Sequence, residues 1–271
     1  MNLKNFIVAK GLEVKKVLHI GSDGTATLVG TKSGVVKRFQ DINPFITSVH
    51  CIAHRLHLAG KDAAKHVPYI NHYEASIKKL YNYFSGSYRR MQNLKMIQDA
   101  LEDPQLNILN IVNTRWLSMS NSVKNLHQIL DSIIDALRYD AEIEKNNLAK
   151  NLLDELDYEF IISTKYLADL MFILIKLINV FQKEYVSFAD IKIHLDIAYD
   201  AITAQFIGID GSTPSYGIHL RKYMQDFNIL AENLPPFIKS FSEAIIDSIK
   251  LRFSNLICII LFVYLTQNFY L

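Results

Sequence analysis

A mainly α chain with a small α/β part is the fold class this sequence predicts, and three observations carry it. Only two short runs read as strands, Val17–Ile20 and Phe45–Val49, each β-branched or apolar and each followed by turn or helix signals. From Glu74 onward apolar residues recur at helical spacing: Ile77, Leu80, Tyr81 and Phe84 fall at i, i+3, i+4 and i+7. The segment Tyr158 to Phe181, with LMFILIKLINVF at its centre, is apolar on nearly every side, which fits the buried axis of a helical bundle.

Residues 1 to 12 predict a short helix, with Leu3, Phe6, Ile7 and Leu12 at helical spacing and Gly11 as a stop. After strand Val17–Ile20 comes Gly21-Ser22-Asp23-Gly24, then a helix from about Ala26 to Phe39. Pro44 marks a boundary before strand Phe45–Val49, and a helix over Ala53–Lys65 follows. Further helices are predicted over Glu74–Ser85, closed by Gly86, and over Ser87–Leu101, closed by Asp103-Pro104. Gln105 to Asn113 is an irregular link. Ser118–Ala136 then carries Val123, Leu126, Leu130, Ile133 and, just beyond it, Leu137 on one stripe. Ala141–Leu156 is charged and exposed in character, and Tyr158–Phe181 is the axis. Ala189–Phe206, Tyr216–Leu234 and Phe237–Phe253 complete the helical part, with a loop at Gly208–Pro214.

Composition narrows the class. Half of the 271 residues are apolar, which excludes a disordered chain and allows a sizeable core. A net charge of +2 neither demands nor excludes nucleic acid, because a groove needs local positive charge. Cys51 and Cys258 stand too far apart for a disulfide or zinc framework, which suits a reducing compartment. Met1–Lys10 lacks the apolar run of a signal peptide. Leu256–Leu265 (LICIILFVYL) is ten apolar residues, half of the roughly 20 needed to cross a bilayer. It reads as a buried helix or strand or as a truncated, shifted reading of a longer protein, with a membrane hairpin or tail anchor as the lesser alternative, and Lys176 argues against a membrane span at Tyr158–Phe181. No membrane association is expected.

Several short motifs invite a chemical reading. Asp23 just past a strand end is where α/β folds place ligands and metal ions, and Asp-Gly is equally a turn in which Asp caps a helix. Cys51-Ile52-Ala53-His54, flanked by His50 and His57, offers ligand types for zinc, but a structural zinc takes four ligands, usually two pairs, and no partner pair stands at usable spacing. Packing and hydrogen bonding at the strand–helix junction is the simpler role. Thr114-Arg115-Trp116 holds the single tryptophan; Arg115 can bind a phosphate and Trp116 can stack a base, or Trp116 can anchor the core. Lys32, Lys37, Arg38, Lys61 and Lys65 form one basic group. Lys78, Lys79, Arg89, Arg90 and Lys95, interleaved with Tyr81, Tyr83 and Tyr88, form a second. Either group can follow a phosphate backbone or be a solvated helix face.

Taken together, Gly21-Ser22-Asp23-Gly24, Lys32-Ser33-Gly34-Val35, Cys51-x-x-His54-x-Leu56 and Thr114-Arg115-Trp116 resemble the hobo–Activator–Tam3 (hAT) superfamily of DNA transposases, above all their domesticated, zinc-finger-associated relatives. The resemblance spans roughly residues 11 to 253. It implies a partial ribonuclease-H-like core of two or three strands over residues 1–70 and a large helical insertion bundle over 71–253. Residues 254–271 are an apolar divergent tail. The core is then expected to be truncated at both ends. By resemblance, Asp23 matches the second acidic residue of the Asp-Asp-Glu triad, Cys51 and His54 match the signature pair, and Trp116 matches a tryptophan near the DNA ends. Two-metal phosphoryl transfer needs several carboxylates around ions about 4 Å apart. Asp23 alone is identifiable, with Glu243 and Asp247 selected by no motif. The expectation is a nuclear, catalytically inactive, transposase-derived DNA-binding remnant that uses Arg115, Trp116, Lys32 and Arg38. It has no cofactor beyond an ancestral Mg2+ at Asp23 and no small-molecule substrate. The alternative is a helical scaffold that binds a protein partner and no nucleic acid. An active nuclease and a product without function are the two remaining readings.

Overall fold

The computed structural model describes residues 3–17, 19–111, 116–182 and 188–254. The protein is mainly α with a small α/β part, as its sequence predicts. It divides into two compact units, residues 1–56 and 57–271.

In the first unit, helix α1 (Leu3–Ala9) and a 3-10 turn (Val14–Lys16) precede strand β1 (His19–Ser22). Helices α2 (Ala26–Val29) and α3 (Val35–Gln40) lead to strand β2 (Thr47–His50). The strands pair in parallel, in a register running from His19 opposite Thr47 to Ser22 opposite His50. Both start two residues later than their hydrophobic runs suggest, so the strand ends fall on Ser22 and His50. Asn43 holds the approach to β2: its amide donates to the carbonyls of Lys15 (2.9 Å) and Val17 (3.1 Å). Buried Val14, Phe39 and Ile46 form a small core that Ile7, Val17, Ile20 and Val35 partly cover.

The single helix expected over Ala26–Phe39 is broken in two by a backbone contact. Gly34 N–H donates to Gly30 O at 2.9 Å, and a β-carbon on Gly34 would lie 2.5 Å from Gly30 N and O. Only glycine lets the chain double back so closely. The turn between them carries Lys32.

Helix α4 (Ile52–Lys65) leaves β2 and runs on into the second unit. That unit continues with α5 (Pro68–Ser85), α6 (Tyr88–Ala100), α7 (Trp116–Gln128), α8 (Leu130–Glu142) and α9 (Asn147–Glu155). Then come α10 (Tyr158–Phe181), α11 (Phe188–Ile202), α12 (Ile218–Asp226) and α13 (Phe237–Phe253). α10 is the axis: fourteen of its 24 residues are buried, and α7, α11 and α12 pack against it. Its N-terminus is capped by Asp157, whose side chain accepts from Phe160 N–H at 2.8 Å. A stripe broad enough to meet three partners is what the all-round apolar sequence requires.

The stripe expected over Ser118–Ala136 is divided between α7 and α8 at Ile129 (φ −121°, ψ 20°), a fully buried residue. The two helices need different directions, because α7 packs on α10 whereas α8 packs on α6 and α9. α11 ends in a π turn, Thr203–Ile207, closed by Gly208. Three buried tyrosines of the bundle are matched by polar partners, as buried polar groups usually are. Tyr73 bonds Thr164 (2.9 Å), Tyr83 donates to Asp140 (2.7 Å) and Tyr166 bonds Ser242 (2.8 Å). Arg252, near the end of α13, donates from Nε to Asp62 on α4 at 2.8 Å. Among the described residues no helix is long and apolar enough to cross a membrane. The apolar segment Leu256–Leu265 lies outside the described residues.

Candidate functional site

The C-terminal ends of the two parallel strands bring together most of the residues singled out in the first unit. Asp23 follows β1 directly and Cys51 follows β2, with Cys51 N–H donating to Ser22 O at 2.7 Å and so extending the ladder. Cys51 O accepts from Arg55 N–H (2.9 Å), which starts α4 immediately and places His54 in its first turn. The rings of His50 and His54 then stand 5.1 Å apart, tilted by 34°.

Asp23 is exposed, and its Oδ1 accepts from Thr25 N–H at 3.0 Å. This is the Asx-type turn that Asp-Gly predicts. The Thr25 N–H and hydroxyl, with His54 nearby, hold the Asp23 carboxyl below its usual range, so it is ionised at neutral pH. Gly24 turns the chain with φ +77°, and a β-carbon there would sit 3.0 Å from the His50 ring. Gly24 is thus doubly required: for its backbone angle and for the imidazole stacked over it. Cys51 is a free, exposed cysteine. At the other end of the pair, His19 Nδ1 hydrogen-bonds Thr47 Oγ1.

Lys32 and Arg38 share the α2–α3 corner. Lys32 is exposed on the glycine-closed turn, and Arg38 Nε donates to Ser33 O at 3.1 Å, which ties the turn to α3. Lys37 is occupied by Asp41. Arg115 lies outside the described residues. Trp116 opens α7, but its side chain also lies outside them.

The residues at the strand ends do not fit a two-metal centre. Asp23 is committed to Thr25, and among the described residues no group of three His, Cys, Asp or Glu side chains is placed to hold a metal ion.

The charge of the chain is unevenly divided. Residues 1–56 contain eight Lys and Arg against three Asp and Glu, a net of +5. Residues 57–271 contain 21 against 24, a net of −3. Within the basic unit, Glu13 is spent on Lys16 and Asp41 on Lys37, so Lys4, Lys10, Lys15, Lys32 and Arg38 remain without a carboxylate partner among the described residues. The overall +2 conceals this polarity. It becomes visible only once the unit boundary is known.

Two features of the helical unit have no signature in the sequence. One is an apolar groove of about 560 Å³ between α10 and α11, lined by Phe172, Ile173, Leu177, Val180, Ile197 and Ala198. The other is a polar cleft at α12. No family model matches the chain, and no solved structure matches it.

Proposed function

We propose that the protein binds nucleic acid, with DNA the target that the hAT resemblance implies, and that it does not cut it. The observation that carries this reading is the net +5 of residues 1–56 beside a net −3 for the rest. A polyanion is held through counterion release by local positive charge, whatever the charge of the whole chain. Lys32 and Arg38, presented together on the α2–α3 corner, are the first contacts, and Trp116 with Arg115 supplies a stacking and phosphate pair. Binding of this kind is tolerant of sequence, because phosphate contacts carry no base information. A nuclear location goes with it. The absence of strand cutting rests on Asp23 being the single carboxylate at the strand ends among the described residues.

The test is titration of the full chain with a short fluorescent DNA duplex across a salt series. Affinity should fall steeply with salt, and Lys32→Ala and Arg38→Ala should each lower the slope of log K against log salt by about 0.9. No binding at low salt would sink the proposal. Mg2+-dependent cleavage that disappears in Asp23→Ala would overturn its second half.

A second reading, a helical scaffold for a protein partner, is favoured by the groove between α10 and α11. Phe172 and Ile197 on its rim are 61% and 58% exposed, and contiguous apolar surface of this kind marks interaction sites. Phe172→Glu and Ile197→Glu would then abolish partner capture and leave DNA binding unchanged.

A further inference from the structure

The helical unit contains a cleft of about 540 Å³ at the junction of α7, α8, α10 and α12. Its volume lies within the range of small-molecule sites, about 300–1,000 Å³. Lys165, from α10, reaches into it half-buried, with its ammonium 5.8 Å from the centre of the Tyr223 ring. Asp131 and Lys222 act on that ammonium through space, and Asp226 completes the charged rim. Among the described residues none of these four charged side chains is in an ion pair, whereas Lys65, Lys79 and Lys192 of the same unit each meet a carboxylate within 2.8 Å. His127 and His219 stack at 4.1 Å between ring centres, and His127 Nδ1 is buried with no hydrogen-bond partner among the described residues. Burial and the nearby Lys165 push His127 down to about 3, so at neutral pH the imidazole adds no charge.

The cleft therefore offers two cations and two carboxylates that do not satisfy one another, above a wall of Ile134, Ile161 and Tyr223. A purely anionic ligand would meet Asp131 and Asp226, and a purely cationic one would meet Lys165 and Lys222. Asp131 and Asp103 act on the half-buried Lys165 ammonium only through space, so no direct ion pair offsets its desolvation, and a ligand carboxylate would supply one. We propose that this cleft binds a small zwitterion, a free α-amino acid with an apolar or aromatic side chain. Its carboxylate lies on Lys165 and Lys222, its ammonium faces Asp131 and Asp226, and its side chain lies on the apolar wall. It goes beyond the sequence expectation, which names no small-molecule substrate, and it is independent of the DNA reading, because none of these residues belongs to the basic unit.

The test is calorimetric titration of the full chain with L-phenylalanine, and with its two half-molecules, 2-phenylethylamine and 3-phenylpropionate, with inorganic phosphate as a fourth probe. L-phenylalanine should bind about tenfold or more tightly than any of the other three, a difference of about 1.4 kcal/mol. Lys165→Met should weaken it by at least about tenfold. Asp226→Asn, at an exposed position where folding is not at stake, should weaken L-phenylalanine but not 3-phenylpropionate. No binding of L-phenylalanine, binding unchanged in both variants, or phosphate or 3-phenylpropionate binding as tightly as the amino acid would each overturn the proposal.

Discussion

Replacing Gly217 by alanine tests whether Asp169 is what holds α12, and with it one wall of the cleft, against α10. Gly217 has φ −73° and ψ 168°, which alanine adopts freely, so the backbone offers no resistance. The obstacle is the added methyl group. It would lie 2.2 Å from Cγ and 2.3 Å from Oδ2 of Asp169. Asp169 is buried, and its oxygens accept from His219 N–H (3.1 Å) and Leu220 N–H (2.9 Å), two of the first-turn donors of α12. If the carboxylate leaves, two hydrogen bonds to a charged acceptor are lost, about 1.5–3 kcal/mol each. If α12 moves off instead, overpacking costs about 1–3 kcal/mol. The cheaper route sets the loss, so about 1–3 kcal/mol is expected. For a unit of roughly 200 residues this lowers Tm by about 2–12 °C. Urea denaturation followed by helical circular dichroism measures it, as a shift in midpoint at constant slope. In an Asp169→Gly background both the carboxylate and the β-carbon of residue 169, itself 2.4 Å from the added methyl, are gone, and Gly217→Ala should then cost no more than about 0.5 kcal/mol. Additive losses in the double variant, or a single variant within about 0.5 kcal/mol of the parent, would refute the reasoning.

Three more outcomes follow from the same structure. Tyr83→Phe strips the buried Asp140 carboxylate of a 2.7 Å donor and should cost about 1.5–3 kcal/mol in urea, while Tyr88→Phe, at an exposed tyrosine, should stay within about 0.5 kcal/mol. Asp157→Ala removes the cap of α10 and should cost about 1 kcal/mol, with Asp157→Ser recovering most of it. His127 is held near 3 in the folded chain against 6.5 when free, so between those values the unfolded chain binds a proton that the folded chain does not. Stability from this group is complete above 6.5 and is lost as pH falls towards 3. His127→Gln should therefore flatten the stability profile between about pH 6 and pH 4 by up to one proton's worth, about 1.4 kcal/mol per pH unit, and an unchanged profile contradicts the assignment.

Residues close together in the chain were legible wherever their signal is local. Tyr158–Phe181 and Phe237–Phe253 form helices over the spans their periodicity predicts, because a helix satisfies its own backbone and shows its apolar face within a few turns. The Asp23-Gly24 turn is likewise readable, since the Asx bond to Thr25 spans two residues. The grouping of Asp23, Cys51 and His54 at the strand ends needed one further step, the parallel pairing of β1 with β2, which the crossover through α2 and α3 implies.

What the sequence alone determined about this protein is its class, mainly α with a small α/β part, and the order of its main elements. Tertiary structure decided the rest, wherever the deciding contact joins distant residues. The helix over Ala26–Phe39 broke because Gly34 lies on Gly30, and Ser118–Ala136 divided because α7 and α8 answer to different partners. The net +5 emerged only when the boundary after Leu56 was drawn. The α12 cleft unites His127, Lys165 and His219 from three helices, and no periodicity records which helices will pack together. Hydrophobic patterning states that a face will be buried; only the summed packing of all the faces decides against what.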